Sequence, residues 1–412
     1  MKKYFALLVS LCLFLTLVAC GQPTVSVSDA EEQGDVTTVG KVTETNSTTK
    51  GQAVDEDGEE DEEDEEDEVT DGTGNTKKTR KTTTKKPKKT TAPAGDGVNV
   101  HAVKQLYTDG KLRMNGRLYA SDAGLVSEYS DDGIVLSGEL EDTVAVDLVV
   151  STGACYFNIV VDGDADDVKT VRLNAGAHTL YAVTGLKKGK HTVEISRGTK
   201  YSTTVTFKTL YYTGTLERPA KPALQLEFVG DSVTCSEGSI KEGEYSVDGH
   251  NSFYGYAAMT ARALKAGIAV EAICGAYTAS MCDRFNDSYW DFSNNPKDIV
   301  IINLGTNDVG WPGKGVPDTF PADVKNTIAA VREKYGKNTY IVWAYGMMFD
   351  NNKAAIKQAV EQYATEKNDS SVLFCDMSSV KNTDGYGSHP SQEGHAKAAT
   401  FLTNWLKANC GA

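Results

Sequence analysis

Ile299-Val300-Ile301-Ile302-Asn303-Leu304-Gly305-Thr306-Asn307-Asp308 is an unbroken apolar run that ends on Gly-Thr-Asn-Asp. A strand apolar on both faces belongs inside a sheet covered on both sides, which in practice means a parallel sheet flanked by helices. The sequence around it alternates accordingly. Residues 224–229, 269–273, 339–344 and 372–376 read as further apolar strands, and 253–265, 323–335 and 352–366 as helices. A closing helix starts at Ser391, whose hydroxyl can cap it, and carries Ala398, Leu402, Trp405 and Leu406 on one face. Residues 224–412 are therefore expected to form a three-layer α/β domain with a parallel sheet. Its reactive groups should lie at the carboxyl ends of the strands.

Upstream the period changes. Residues 96–213 hold short alternating runs, such as 144–150 and 156–161, broken by Asp131-Asp132-Gly133 and Asp162-Gly163-Asp164 turns. Regular short strands between Asp/Gly turns predict a β-sandwich of jelly-roll type, with no helical pattern in it. The segment 213–223, with Pro219 and Pro222, reads as a connector.

The N-terminus carries Lys2 and Lys3, an apolar stretch too short for a membrane span, and then Leu17-Val18-Ala19-Cys20. This resembles a bacterial lipoprotein signal peptide over 1–20, with Cys20 as the lipidated residue. Residues 21–95 form a charged linker, acidic over 55–68 and basic over 77–91, whose like-charge blocks favour a solvated tether. The formal net charge is −15, and an acidic remainder argues against a nucleic-acid partner. The expected setting is extracellular, at the surface of a bacterial membrane and held there by the lipid. Six cysteines follow Cys20 (155, 235, 274, 282, 375 and 410) without zinc or redox spacing, and sequence does not pair them.

Three strand ends carry chemistry. Leu226-Glu227-Phe228-Val229 runs into Gly230-Asp231-Ser232-Val233, which places a serine on a turn just past a buried strand. Thr234 stands where a G-x-S-x-G elbow would have its second glycine, so this is not that motif. The Gly-Thr-Asn-Asp end offers the Asn307 amide as an oxyanion donor, with Asp308 better suited to holding the loop. The third end is Gly385-Tyr386-Gly387-Ser388-His389-Pro390, just before the last helix. Of the six histidines, His101, His178 and His191 fall in the β region and His395 in the last helix. His250 is a reserve, and His389 is preferred by position.

Gly-Asp-Ser, Gly-Thr-Asn-Asp and His-Pro in this order resemble the blocks of the SGNH (GDSL) hydrolases. The β segment, Gly230-Asp231-Ser232-Val233-Thr234-Cys235 and Trp290-Asp291-Phe292 are similar to carbohydrate esterase family two, whose members resemble acetyl xylan esterases. The resemblance implies Ser232 as nucleophile, His389 as general base, and an oxyanion hole from Ser232, Gly275 and Asn307. It implies no cofactor and no metal. Tyr386 stands where full-triad members have an aspartate, three residues before the histidine, which leaves Asp384 or a backbone carbonyl to orient the ring. The function implied is a serine O-acetyl esterase that removes acetyl groups from an extracellular polysaccharide of xylan or mannan type. Trp311 is a candidate sugar-stacking side chain. The alternatives are a non-catalytic glycan-binding surface lipoprotein and an esterase for peptidoglycan O-acetyl groups or lipids.

Overall fold

The computed structural model describes residues 92–200, 203–286, 290–308 and 317–412. Cys20 with the expected signal peptide, nearly all of the charged linker, and Trp311 lie outside the described residues. The β region comprises β1 (Val98–Ala102), α1 (Val103–Thr108), β2 (Leu112–Asn115), β3 (Tyr119–Ser121), β4 (Gly124–Ser127), β5 (Gly133–Val161), β6 (Lys169–Arg197) and β7 (Val205–Glu217). Its strands pair antiparallel throughout. The long strands β5 and β6 fold back on each other, so that Ile195 pairs with Ile134 on one side and Ile159 on the other. The inward residues form one core that includes Leu136, Val146, Phe157, Ile195 and Phe207. Each such side chain contributes about 1.5–3 kcal/mol by leaving water.

Two expectations need correction here. A helix, α1, does occur in the β region, where no helical pattern was expected. It is six residues long and buries only Val103 and Leu106, too short to display a period. The expected connector is also shorter, because β7 continues through Glu217.

The second region comprises β8 (Gln225–Gly230), α2 (Tyr256–Ala263), β9 (Gly267–Ala272), α3 (Thr278–Asp283), β10 (Ile299–Asn303), α4 (Phe320–Tyr335), β11 (Tyr340–Tyr345), α5 (Lys353–Lys367), β12 (Val372–Asp376) and α6 (Gln392–Cys410). Its five strands are parallel, in the order β9-β8-β10-β11-β12. Alternate residues face opposite layers. Leu226, Phe228, Ile299, Ile301, Val342 and Ala344 pack with α2 and α6, while Val300, Ile302, Ile341 and Trp343 pack with α4 and α5. The Ser391 hydroxyl caps α6 by accepting from the Gly394 amide at 3.2 Å. The short helix α3 was absent from the expected element list for the same reason as α1.

A buried charge joins the two regions. Arg117, between β2 and β3, is fully buried and donates from Nε to Glu227 Oε1 on β8 at 2.7 Å, and it also pairs with Glu271 on β9. Burial opposes its charge, but the two glutamates outweigh that and hold its pKa above the ordinary arginine range. Tyr335 donates to the other Glu227 oxygen at 2.5 Å, and Arg284 lies 3.3 Å from Glu271. Phe285, Trp290 and Phe292 face the guanidinium at 5.3, 5.7 and 5.1 Å. Nearby, the Gly116 amide donates to the Ile268 carbonyl at 2.9 Å, so the exposed edge of β9 is partly covered.

Arg117→Met would leave two carboxylates buried on adjacent strands, with Arg284 still beside Glu271 and no arginine on Glu227. The expected loss is about 3–5 kcal/mol of unfolding free energy, read by urea denaturation. Replacing both glutamates by glutamine in the same background should recover part of it. An unchanged midpoint for Arg117→Met would contradict the assignment.

Candidate active site

Ser232 sits two residues beyond the end of β8. The chain there winds tightly: the Cys235, Ser236 and Glu237 amides donate back to Asp231, Val233 and Ser232 carbonyls at 3.1, 3.1 and 2.9 Å. Asp231 Oδ1 accepts from the Val233 amide at 3.0 Å and fixes the turn. Burial pushes the Asp231 carboxyl up to about 7, against the lowering effect of that amide, and the Asp308 charge adds to the rise.

His389 arrives from the loop before α6. Its Nε2 lies 2.8 Å from Ser232 Oγ, and its Nδ1 lies 3.2 Å from the Tyr386 carbonyl. With the proton on Nδ1 donated to that carbonyl, Nε2 is free to accept from the serine hydroxyl. Both side chains are 7% exposed. Burial lowers the pKa of His389; the Tyr386 carbonyl opposes this and the charge of Lys200 reinforces it. The imidazole is thus kept neutral, the form a general base requires.

The loop holding His389 docks onto the nucleophile segment through Gly238. The Tyr386 amide donates to the Gly238 carbonyl at 2.8 Å. Gly238 has φ of 66°, and a Cβ there would lie 2.6 Å from the Tyr386 oxygen and 3.3 Å from His389 Cβ. Only glycine allows that approach.

Register sets the other two candidate donors. Gly230 pairs with Ala272 on one side and Asn303 on the other. Ser232, Gly275 and Asn307 therefore follow neighbouring strand ends by two, three and four residues. Gly275 occupies an exposed turn at φ 79° with open space around its Cβ position. Asn307 Nδ2 donates to the Ala276 carbonyl at 3.0 Å and lies 3.4 Å from Asp231 Oδ2. Asp308 accepts from the Thr278 amide at 3.0 Å and from its hydroxyl at 3.1 Å, so it ties the loop after β10 to the start of α3.

Serine after the first strand of the sheet, glycine after the second, asparagine after the third and histidine before the last helix form one ordered set. Residues 228–397 match the GDSL-like Lipase/Acylhydrolase family model. They form a GDSL-like domain. The chain is 30% identical over 325 residues to the cellulase/esterase CelE of Acetivibrio thermocellus, covering 72% of this chain and 39% of CelE. It thus spans about two fifths of that relative's length. It is 24% identical over 329 residues to an acetylxylan esterase / glucomannan deacetylase of Cellvibrio japonicus, covering 73% of this chain and 89% of that protein. Among solved structures it is similar to a family two carbohydrate esterase from Clostridium thermocellum in complex with cellohexaose. The TM-score there is 0.63 at 25% identity, covering 73% of this chain and 99% of that one.

Several residues of the GDSL-like domain stand apart from the set. Asp384 is exposed and accepts from Asn382 Nδ2 at 2.6 Å, while the inner nitrogen of His389 faces a carbonyl. His250 is buried and accepts from the Lys200 amide at 3.0 Å, and burial drives its pKa down to about 4. His395 is buried under Tyr256 and accepts from its amide at 3.2 Å, with a pKa lowered by burial to about 3. Trp290 and Phe292 surround Arg117 rather than the serine. Among the described residues no group of three or more His, Cys, Asp or Glu side chains is placed to hold a metal.

Other neighbours carried no sequence signal. Lys200, from the β region, pairs with Glu237 just past the nucleophile turn. Tyr245 stands edge-on to the His389 ring at 5.8 Å and to Tyr386 at 4.7 Å.

Two outcomes follow. Asp384→Asn should leave kcat/KM within about two-fold, because a backbone carbonyl holds Nδ1; a loss of about 10⁴-fold, as when a triad aspartate is removed, would contradict this. The acidic limb of kcat/KM should have its midpoint below the ordinary histidine value of 6.5. Activity requires neutral His389, so it is lost as pH falls through a depressed pKa and persists to lower pH than an unburied histidine would allow.

Proposed function

We propose that this chain is a serine-dependent O-acetyl esterase acting on polysaccharide of xylan or mannan type. The observation that carries the reading is the 2.8 Å contact between Ser232 Oγ and His389 Nε2, with the other ring nitrogen on a backbone carbonyl. In the proposed sequence, His389 takes the Ser232 proton as the hydroxyl oxygen attacks the acetyl carbonyl. The oxyanion is met by the Ser232 and Gly275 amides and the Asn307 side chain. The sugar alcohol leaves with the proton from His389, and water, deprotonated by the same imidazole, releases acetate from Ser232. No step calls on a metal ion.

The activities of the Acetivibrio and Cellvibrio relatives support the ester class, and that of the Cellvibrio protein supports the acetylated glycan. Tyr245 and Tyr277, 47% and 55% exposed beside the two catalytic loops, offer aromatic faces for sugar rings. Trp311 is proposed as a third such face. We further propose a jelly-roll arrangement for the β region. The basic start, short apolar stretch and Cys20 support a lipid-anchored, extracellular placement with residues 21–95 as tether.

Ser232→Ala should lower acetate release from acetylated xylan or glucomannan by roughly a thousand-fold or more. Asn307→Ala should lower kcat by about 100- to 1,000-fold with a smaller change in KM. Unchanged release by Ser232→Ala would remove the nucleophile assignment, and a KM-only effect of Asn307→Ala would remove its oxyanion role.

A further inference from the structure

A concavity lies at the end of the sheet opposite Ser232. It has a volume of about 630 Å³ and is lined by the first residue of β8, Gln225, and the second of β9, Ile268, together with β2 and the connector. The catalytic turns leave the other ends of the same strands, on the order of 20 Å away at the rise of a β-strand. The volume falls within the range of small-molecule sites.

Its charge sets it apart. Arg113, Arg218, Lys221 and Lys297 line it, and no aspartate or glutamate among the described residues does, in a chain whose formal net charge is −15. Lys297 is 8% exposed, and none of the described hydrogen bonds or ion pairs involves its ammonium. Burial lowers its pKa; the Glu227 and Asp298 charges oppose this, while Arg117 and Lys221 add repulsion. The Arg113 guanidinium donates to the Asn115 side-chain oxygen and feels the Glu194 charge, while its Nε is buried without an acceptor. Arg218 lies against Gly110, where a Cβ would come within 2.6 Å of the guanidinium. Four cationic side chains thus line one cavity that no acidic residue among the described residues lines, and such a local excess of positive charge favours an anionic ligand. The lining also includes Asn294 and Asn295, whose amide nitrogens donate to Asp291 and whose side-chain oxygens can accept from sugar hydroxyls, and the half-exposed ring of Tyr107.

We infer that this cavity is a second, non-catalytic binding site for a carboxylate-bearing saccharide, such as a polysaccharide segment with uronic acid groups. The choice of a saccharide rests on the polysaccharide reading above; the anion preference rests on the cavity alone. The site would hold a stretch of polymer remote from the ester being cleaved.

Calorimetric titration of the full chain carrying Ser232→Ala tests it with three probes: a xylo-oligosaccharide bearing one glucuronate, neutral xylotetraose, and inorganic phosphate. The acidic saccharide should bind about ten-fold or more tightly than the neutral one, and Arg218→Ala/Lys221→Ala should weaken it by a similar factor. Raised salt should weaken it as well. Both replaced side chains lie at exposed positions, so the result does not depend on whether a Lys297→Met chain folds. Equal affinity for acidic and neutral saccharides, an unaltered curve in the double variant, or phosphate binding as tightly as the acidic saccharide would overturn the inference. Acetate release from neutral acetylated xylan by the Ser232-intact chain, measured in parallel, reports on the esterase reading alone. The double variant should leave that release unchanged.

Discussion

Two carboxylates are buried side by side in this protein, and one guanidinium from a different region bridges them. Glu227 and Glu271 lie on the adjacent strands β8 and β9, facing the same layer, and both are fully buried. Left alone they would repel each other in a medium that solvates neither. Arg117 reaches them from the β region, and Tyr335 and Arg284 take up other carboxylate oxygens. A buried ion pair of this kind adds little net stability over a well-packed apolar core, but it is intolerant of losing a member. Its consequence is therefore positional. The pair of strands that carries Ser232 and Gly275 at one end cannot be completed without the β region seated against it.

The proposed catalytic constellation inherits that geometry. Once β8, β9 and β10 are in register, their carboxyl ends deliver serine, glycine and asparagine side by side. The histidine comes from a separate loop, held by the Tyr386–Gly238 backbone contact. The β region enters a second time through Lys200, whose backbone occupies His250 and whose ammonium pairs with Glu237. A carbonyl in place of a carboxylate on Nδ1 fixes the tautomer but offers less to an imidazolium. Burial of the ring acts in the same direction and keeps the resting base neutral. In the proposed mechanism this arrangement suits proton removal from serine rather than storage of a proton on histidine.

Much of this was legible in the chain. The apolar run at 299–304 announced a strand buried on both faces, and the alternation around it gave the layered α/β domain with boundaries shifted by a few residues. Ser232, Asn307 and His389 stood out as candidates because they follow local motifs at strand and loop ends, whereas Gly275 came only from the family resemblance. The two six-residue helices were not, since one and a half turns leave no period to read. Nor was the role of Trp290 and Phe292, because nothing local in the sequence links them to an arginine more than 170 positions earlier. Glu227 and Glu271 were present as single charges within apolar strands, a signal that a buried partner was required. Its identity depended on long-range packing, as did the choice between Asp384 and a carbonyl for His389.

The central claim is that Ser232, activated by His389, accepts the acyl group. Rapid acid quenching during turnover of an aryl acetate, followed by peptide mass spectrometry, tests it most directly. The account predicts an acetyl adduct on the peptide containing Ser232 during turnover, strongly reduced in His389→Ala and absent from Ser232→Ala. Turnover with no acetylated serine at any quench time, or an adduct on another residue that persists in Ser232→Ala, would contradict it.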